Sequence, residues 1–166
     1  DVQIWNPPHK RADLLMLPTH SDDDHLYFGG TMPYYGGELG MRVQVAYITN
    51  HWGEPVRTHE LLNGMWTVGI TAYPVISEFP DKATFSLETA QNIYDSDEVR
   101  GYIVELIRRF KPYVLLGHDL LGEYGHGAHM LSALLITEAV EISMNEDAYP
   151  ESAERYGVWD VPKTYL

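Results

Sequence analysis

Two short stretches of this chain carry side chains from which a metal-centred hydrolytic site can be built. The first is Thr19-His20-Ser21-Asp22-Asp23-Asp24, and the second is Gly122-Glu123-Tyr124-Gly125-His126-Gly127-Ala128-His129. In the first, a histidine and an aspartate three residues apart on a loop leaving a strand can both turn toward one ion. Asp22 then stands beside that ion without having to bind it. In the second, two imidazoles three residues apart at the start of a helix share one face. Two imidazole nitrogens and one carboxylate oxygen leave a tetrahedral ion one open position, which is the pattern of a catalytic rather than a structural zinc. Water held there reaches a pKa of about 7. Asp22 is placed to take its proton. His126 and Tyr124 are placed to steady a tetrahedral oxyanion or to protonate a leaving amine.

Neither stretch is decisive by itself. An acidic triplet is ordinarily a solvated helix start, and a His-x-x-His pair is ordinarily incidental. Their joint occurrence, each directly after a predicted strand of one sheet, singles out a shared site. The chain has no cysteine, so thiolate ligands and disulfides are excluded and any transition-metal site must use imidazole and carboxylate. Such a donor set accepts zinc, iron, cobalt or nickel, and one divalent ion, zinc, is the expected cofactor.

The elements that must position these residues alternate between strand and helix. Ala12 to Pro18 reads as a short buried strand. Leu26 to Leu39 has helical length, weakened by Gly29, Gly30 and Pro33. Met41 to Thr49 is the clearest strand, rich in β-branched and aromatic residues. Pro55 to Gly69 has helical spacing and opens on a proline. Tyr73 to Phe79 is a third strand. Ser96 to Phe110 is an amphipathic helix with Ser96 as its cap and Val99, Ile103, Leu106, Ile107 and Phe110 on its apolar face. Tyr113 to Gly117 is a short buried strand, His129 to Ile142 an apolar helix, and Asn145 onward a polar connection. This order predicts an α/β fold, a Rossmann-like three-layer sandwich with a mostly parallel sheet. In such sheets function gathers at the carboxyl ends of the strands, where the His- and Asp-rich loops lie. No G-x-G-x-x-G follows the first strand, and its three carboxylates would repel a pyrophosphate, so a nucleotide-binding domain is disfavoured.

The 166 residues, 45% hydrophobic and 21% charged, suit a single domain over 1–166. Both ends read as trimmed. The chain opens at Asp1 without Met, and Val158 to Leu166 approaches a strand and stops. The compartment stays open between cytoplasmic and exported bacterial. A formal charge of −13 disfavours nucleic acid and anionic lipid and favours a neutral or cationic small molecule or a neutral glycan. No apolar run approaches the roughly 20 residues of a transmembrane helix.

In these motifs the chain resembles the LmbE-like, or PIG-L, de-N-acetylases. That family carries Ala-His-Pro-Asp-Asp-Glu followed by Gly-Gly-Thr, matched here by Thr19 to Asp24 and Gly29-Gly30-Thr31. Its later Gly-x-Tyr-Gly-His-Pro-Asp-His is matched by Gly122 to His129. A Thr-x-Gly-Glu turn and an Arg-x-x-Glu-Leu helix lie between, matched by Thr49, Gly53-Glu54 and Arg57 to Leu61. The resemblance spans about Asp13 to Met144. It implies His20, Asp23 and His129 as metal ligands, Asp22 as general base, His126 as oxyanion stabiliser or acid, Tyr124 as the group polarising the carbonyl, and Arg57 as a substrate contact. It implies removal of an N-acetyl group from an N-acetylglucosamine-containing or related amide.

Three departures stand out. Ser21 replaces Pro, Asp24 replaces Glu, and Ala128 replaces the family's Asp, which orients and charges the histidine two positions earlier. Asp119 or Glu123 is the expected substitute for that carboxylate. Ala128 also keeps open an alternative, a glycan- or ligand-binding module that retains the metal with weak or no turnover. His25, His51 and His118, with Trp52 and Tyr35, are further residues that could border the site.

Overall fold

The computed structural model describes residues 2–166. Five strands form one all-parallel sheet: β1 (Leu14–Met16), β2 (Val43–Tyr47), β3 (Val75–Ile76), β4 (Val114–Leu116) and β5 (Lys163–Tyr165), in the spatial order β3-β2-β1-β4-β5. In register, Leu14 faces Val43 on one side and Val114 on the other. Sequence order runs outward from β1 to β3 and then restarts on the opposite flank with β4. The crevice between the carboxyl ends of β1 and β4 is therefore the topological switch point, where open α/β sheets bind ligands. The two motifs leave the sheet at those two strand ends.

Among the described residues six α-helices accompany the sheet: α1 (Asp23–Leu26), α2 (Pro55–Thr67), α3 (Leu87–Ile93), α4 (Ser96–Phe110), α5 (Gly127–Ile142) and α6 (Pro150–Tyr156). A π-helical segment, Met32–Glu38, follows α1. The two sheet faces carry separate apolar clusters. On one face Leu15, Leu17, Ala46 and Leu115 pack with Val99, Ile103 and Ile107 of α4 and Leu131, Leu135 and Ile136 of α5. On the other, Leu14, Met16, Val43, Val45 and Tyr47 pack with Phe28, Met32, and Leu61 and Met65 of α2. Because β1 and β2 are covered on both faces, their residues are buried without alternation. Among the described residues no helix is long and apolar enough to cross a membrane.

Local expectations needed four corrections. The cap of α4 is Asp95 rather than Ser96, and its Oδ1 accepts from the N–H groups of Asp97 and Glu98. The stretch from Leu26 to Leu39 is not one helix. It turns through Tyr27 to Thr31 between α1 and the π-helical segment, with Gly29 pressed against the His25 carbonyl, where a Cβ would stand 2.7 Å away. The segment before α4 contains a helix, α3, capped by Ser86. The polar connection after Asn145 contains α6, which has no apolar stripe and is fixed by tertiary contacts. The buried Arg108 donates to the carbonyls of Ser143, Asn145, Ala148 and Tyr149 and to Ser152 Oγ.

Candidate functional site

The acidic turn after β1 sends its three carboxylates in three directions. Asp22 is half-exposed at the cavity mouth, where Arg57 Nη2 lies 3.2 Å from its Oδ2. Asp24 turns into the interior, where its Oδ2 accepts from the hydroxyl of Tyr47 at 2.9 Å and lies 3.0 Å from His25 Nδ1. Burial is the main cause that pushes the Asp24 pKa up, and its Oδ1 has no partner. Asp23, 1% exposed, turns toward the imidazoles. Its Oδ2 accepts from the backbone N–H of His20 at 2.7 Å and lies 2.9 Å from His20 Nδ1, 3.1 Å from His129 Nε2 and 3.3 Å from His118 Nε2. Burial opposes the charged form, but the close imidazoles of His118, His129 and His20 outweigh it and hold the Asp23 pKa far below the ordinary carboxylate range.

The second motif arrives from the other side of the crevice. Gly122 and Gly125 have positive φ, and Tyr124 between them is also left-handed at φ 45°. For a non-glycine residue that conformation costs about 1–2 kcal/mol. The turn leaves the Tyr124 ring at the rim, its centroid 6.0 Å from that of Tyr27. His126 then caps α5 and His129 sits in its first turn. The start of α5 is pressed against the segment before α3. Gly127 N–H donates to the Thr84 carbonyl at 3.1 Å and Ala128 N–H to Thr84 Oγ1 at 2.7 Å, which satisfies two of the helix's free N–H groups. A Cβ at Gly127 would collide with the Ser86 carbonyl, so glycine is required by the close approach.

The turns meet. His129 Nε2 is 3.0 Å from His20 Nδ1. With the two Asp23 contacts, the three atoms form a triangle with sides of 2.9, 3.0 and 3.1 Å. Ligands about 2.0–2.2 Å from a tetrahedral zinc ion stand about 3.3–3.6 Å apart, so the triangle is a few tenths of an ångström tighter than one shared ion requires. The ligand atoms of His20, His126 and His129 lie within 4.8 Å of one another, as do those of Asp23, His118 and His129. The second grouping is the weaker donor set, because His118 Nε2 already accepts the Thr19 N–H at 3.0 Å and has no lone pair to spare. His20 Nε2, His126 Nδ1 and His129 Nδ1 are buried without aligned hydrogen-bond partners. Buried polar atoms are rarely left so; those of His20 and His129 are the ring nitrogens that the triangle with Asp23 does not use.

Beside the triangle opens a cavity of about 290 Å³, lined by His20, Asp22, Asp23, Arg57, Tyr124 and His126, with Leu26, Asp81 and Ala83. Of the residues given a ligand, catalytic or substrate role by the resemblance, only His129 is missing from this lining, and it lies fully buried beside His20. Burial first, and then the neighbouring His20 and His129, pull the His126 pKa down to about 4. The expected substitutes for the missing carboxylate at position 128 do not reach His126. Asp119 instead accepts the Leu121 N–H. Glu123 Oε2 lies 2.6 Å from His118 Nδ1 and 2.7 Å from His129 Nδ1, the second contact off the line of an N–H donation. Burial opposes ionisation of Glu123, but the His118 hydrogen bond and charge lower its pKa to about 2.

Of the other residues considered, His118 is inside the cluster, stacked on His129 at 3.9 Å. His51 is near, with Nε2 3.2 Å from Asp81. His25 pairs with Asp24 and packs over Gly64, outside the cavity lining. Trp52 donates to Glu78, and Tyr35 borders a different cavity beside β4. Asp81 was not foreseen. Its Oδ1 lies 3.4 Å from His20 Nε2, and Tyr94 fixes its loop by donating to the Pro80 carbonyl and accepting the Lys82 N–H, both at 3.0 Å. The available signal was its position just past the third predicted strand.

Solved structures with this fold include the N,N'-diacetylchitobiose deacetylase of Pyrococcus horikoshii, with a TM-score of 0.69 and 19% identity over 92% of this chain and 58% of that one. They also include a 4-carboxy-2-hydroxymuconate hydratase of Pseudomonas putida, with a TM-score of 0.68 and 19% identity over 95% and 65%. The fold thus carries more than one reaction. Among curated relatives, a 1D-myo-inositol 2-acetamido-2-deoxy-alpha-D-glucopyranoside deacetylase of Catenulispora acidiphila is 25% identical over 95% of this chain and 56% of its own length. The enzyme of the same name from Rhodococcus opacus is 29% identical over 92% and 60%. The chain thus spans somewhat more than half the length of these relatives. Residues 15–140 match the family described as GlcNAc-PI de-N-acetylase, PIG-L, and on that match over most of its length the chain belongs to this family.

Proposed function

We propose that this chain is the catalytic part of a metal-dependent hydrolase that removes the acetyl group from an N-acetylated amino sugar or a related small amide. The observation that carries the reading is the triangle of His20 Nδ1, Asp23 Oδ2 and His129 Nε2 beside a cavity bordered by the Asp22 carboxylate. In this reading those three atoms hold one divalent ion, with zinc suited to the two-imidazole, one-carboxylate set. When bound, the ion supplies Lewis acidity that activates water and polarises the amide carbonyl at neutral pH.

The chain's own residues do the rest. Asp22 takes a proton from the attacking water as its oxygen bonds to the carbonyl carbon, and delivers a proton to the amine nitrogen as the C–N bond breaks. Arg57, 3.2 Å from Asp22, aims that carboxylate and offers its remaining N–H groups to the substrate. His126, with a pKa of about 4, is neutral at physiological pH and serves as a hydrogen-bond donor to the developing oxyanion. Tyr124 offers its hydroxyl to the carbonyl from the rim. The cavity volume, about 290 Å³, is at the low end of ligand pockets, roughly 300–1,000 Å³, and suits one sugar unit. The carboxylates of Asp22 and Asp81 favour neutral, hydroxyl-rich substrates over anions. The relatives named for acetamido-sugar substrates support the same class.

One observation favours a second reading, a sugar-binding module with little turnover: His126 Nδ1 has no carboxylate to steady a positive charge. Acetate release from N-acetylglucosamine and its dimer, with zinc supplied, separates the two. Turnover that falls about 10²–10⁴-fold in Asp22→Asn while zinc stays bound supports the hydrolase. Sugar binding without acetate release by the native chain supports the module.

A further inference from the structure

Two residues at the mouth of the cavity have no role in either motif, and the backbone of α1 places them. Leu26 N–H donates to the Asp22 carbonyl at 3.0 Å, and Tyr27 N–H donates to the Asp23 carbonyl at 2.9 Å. Residues four apart on a helical turn share a face. Leu26 therefore follows Asp22 to the cavity lining, and Tyr27 follows Asp23 to the imidazoles. The Tyr27 ring meets His129 edge-on, with centroids 5.7 Å apart and planes at 72°, and His118 at 6.1 Å and 64°. Tyr124 arrives from the other side of the crevice and ends on the same layer, 5.8 Å from His129 at 72° and 5.6 Å from His126 at 77°. The two phenol rings are neighbours, 6.0 Å apart and 38° from parallel.

Single exposed apolar side chains are ordinary. This group differs from them in three ways. Its members come from two loops far apart in the chain and meet at one cavity mouth: Leu26 and Tyr124 line the cavity, and Tyr27 adjoins Tyr124 just outside that lining. Leu26 and Tyr124 stay 64% and 72% exposed and Tyr27 37%, so their surface continues outward from a cavity that by itself suits one sugar unit. Tyr124 is also held in place by a left-handed backbone between two positive-φ glycines, and such conformations cluster where ligands are gripped. A pyranose ring has an apolar C–H face and a hydroxylated rim. Tyrosine presents an apolar ring with a polar tip, so two tyrosines and a leucine match that ring better than they match a charged group.

We propose that Leu26, Tyr27 and Tyr124 form a second subsite, outside the cavity, that packs against the sugar ring attached to the reacting N-acetyl sugar, with Tyr27 as its specificity-determining residue. The part of this role that concerns turnover rests on the hydrolase reading above. The binding surface itself does not.

The test uses the full chain and glycosides with one acetamido group each: the methyl glycoside of N-acetylglucosamine, its disaccharide with glucose, and its phenyl glycoside, each in both anomeric linkages. With zinc supplied, acetate release by the native chain should show kcat/KM roughly 2–10-fold higher for the disaccharide than for the methyl glycoside, the scale of one aromatic contact. Tyr27→Ala should bring that ratio toward one, and Tyr27→Phe should keep it. Leu26→Ser, at a mostly exposed position, should lower it without disturbing the imidazoles. A variant with a damaged metal site loses both rates together, so the ratio reports the subsite. Dissociation constants of the same compounds, from ¹H–¹⁵N shift titrations, give a readout independent of turnover. Equal kcat/KM for the two sugars on the native chain, or a preference that survives in both Tyr27→Ala and Leu26→Ser, would overturn the subsite and leave the hydrolase reading standing. A gain confined to the phenyl glycoside would overturn the choice of a sugar ring. No acetate from any compound, with tighter binding of the disaccharide that is lost in Tyr27→Ala, would overturn the hydrolase reading and uphold the subsite. Neither turnover nor preferential binding would overturn both.

Discussion

The molecule holds two buried polar clusters, and they are satisfied to very different degrees. Around Arg108 every guanidinium nitrogen finds an acceptor, four backbone carbonyls and Ser152 Oγ, all at 2.7–3.1 Å. Around Asp23, nitrogens of His20, His126 and His129 are buried without an aligned partner. A closed network rigidifies a fold, whereas buried nitrogens left without partners cost stability. The first cluster locks α6 and the preceding loop onto α4. The second sits at the switch point of the sheet and faces a cavity.

That contrast can be broken by substitution. The largest effect is expected at the open cluster and on activity alone. His126→Leu should lower acetate release about 10²–10³-fold, the scale for losing one oxyanion donor. Its stability should stay within about 1 kcal/mol of native or rise, since a buried unpaired nitrogen is removed. A large loss of stability in urea unfolding would mean that this cluster is structural after all. Next comes the closed cluster. Arg108→Ala strands several carbonyls at once and should cost about 3 kcal/mol or more by the same unfolding measurement, with zinc affinity unchanged. A stability close to native would show that α6 does not depend on this residue.

The smallest effect sharpens the boundary between the clusters. Tyr94 joins the apolar core to the Asp81 loop, and burial raises its pKa to about 12 from 10.0. Its neutral form is favoured in the fold. The contribution is fully present below pH 10, falls as pH rises and the unfolded chain alone releases the proton, and is exhausted near pH 12. Tyr94→Phe should therefore flatten part of the alkaline decline in stability, at a cost of about 1 kcal/mol near neutrality. Parallel alkaline profiles for the two proteins would contradict this.

Much of the fold was readable from pattern. The apolar face of α4 and the β-rich run that contains β2 were found because burial on one face or on both leaves a periodic or continuous trace. The helices that escaped notice lack that trace. α6 buries only Ser152 and is held by an arginine some forty residues away, a contact no local window contains. The site was legible in its types and spacing, but not in its partners. The first carboxylate of the acidic turn stands at the cavity mouth, the second faces the imidazoles and the third is sealed against Tyr47, and nothing in three consecutive aspartates distinguishes them. Glu123 lay within a recognised motif, yet which imidazole it would meet depends on the stacking of His118 on His129.

By itself the sequence determined the alternation of strand and helix, hence a parallel sheet, and the two loops whose residues could hold a cation, because those are properties of residue type and near spacing. The tertiary structure decided which atoms converge, which nitrogens are left free, and which carboxylate supports which ring. Those outcomes depend on side-chain directions at elements about a hundred residues apart, and only the packing of the sheet and its helices sets them.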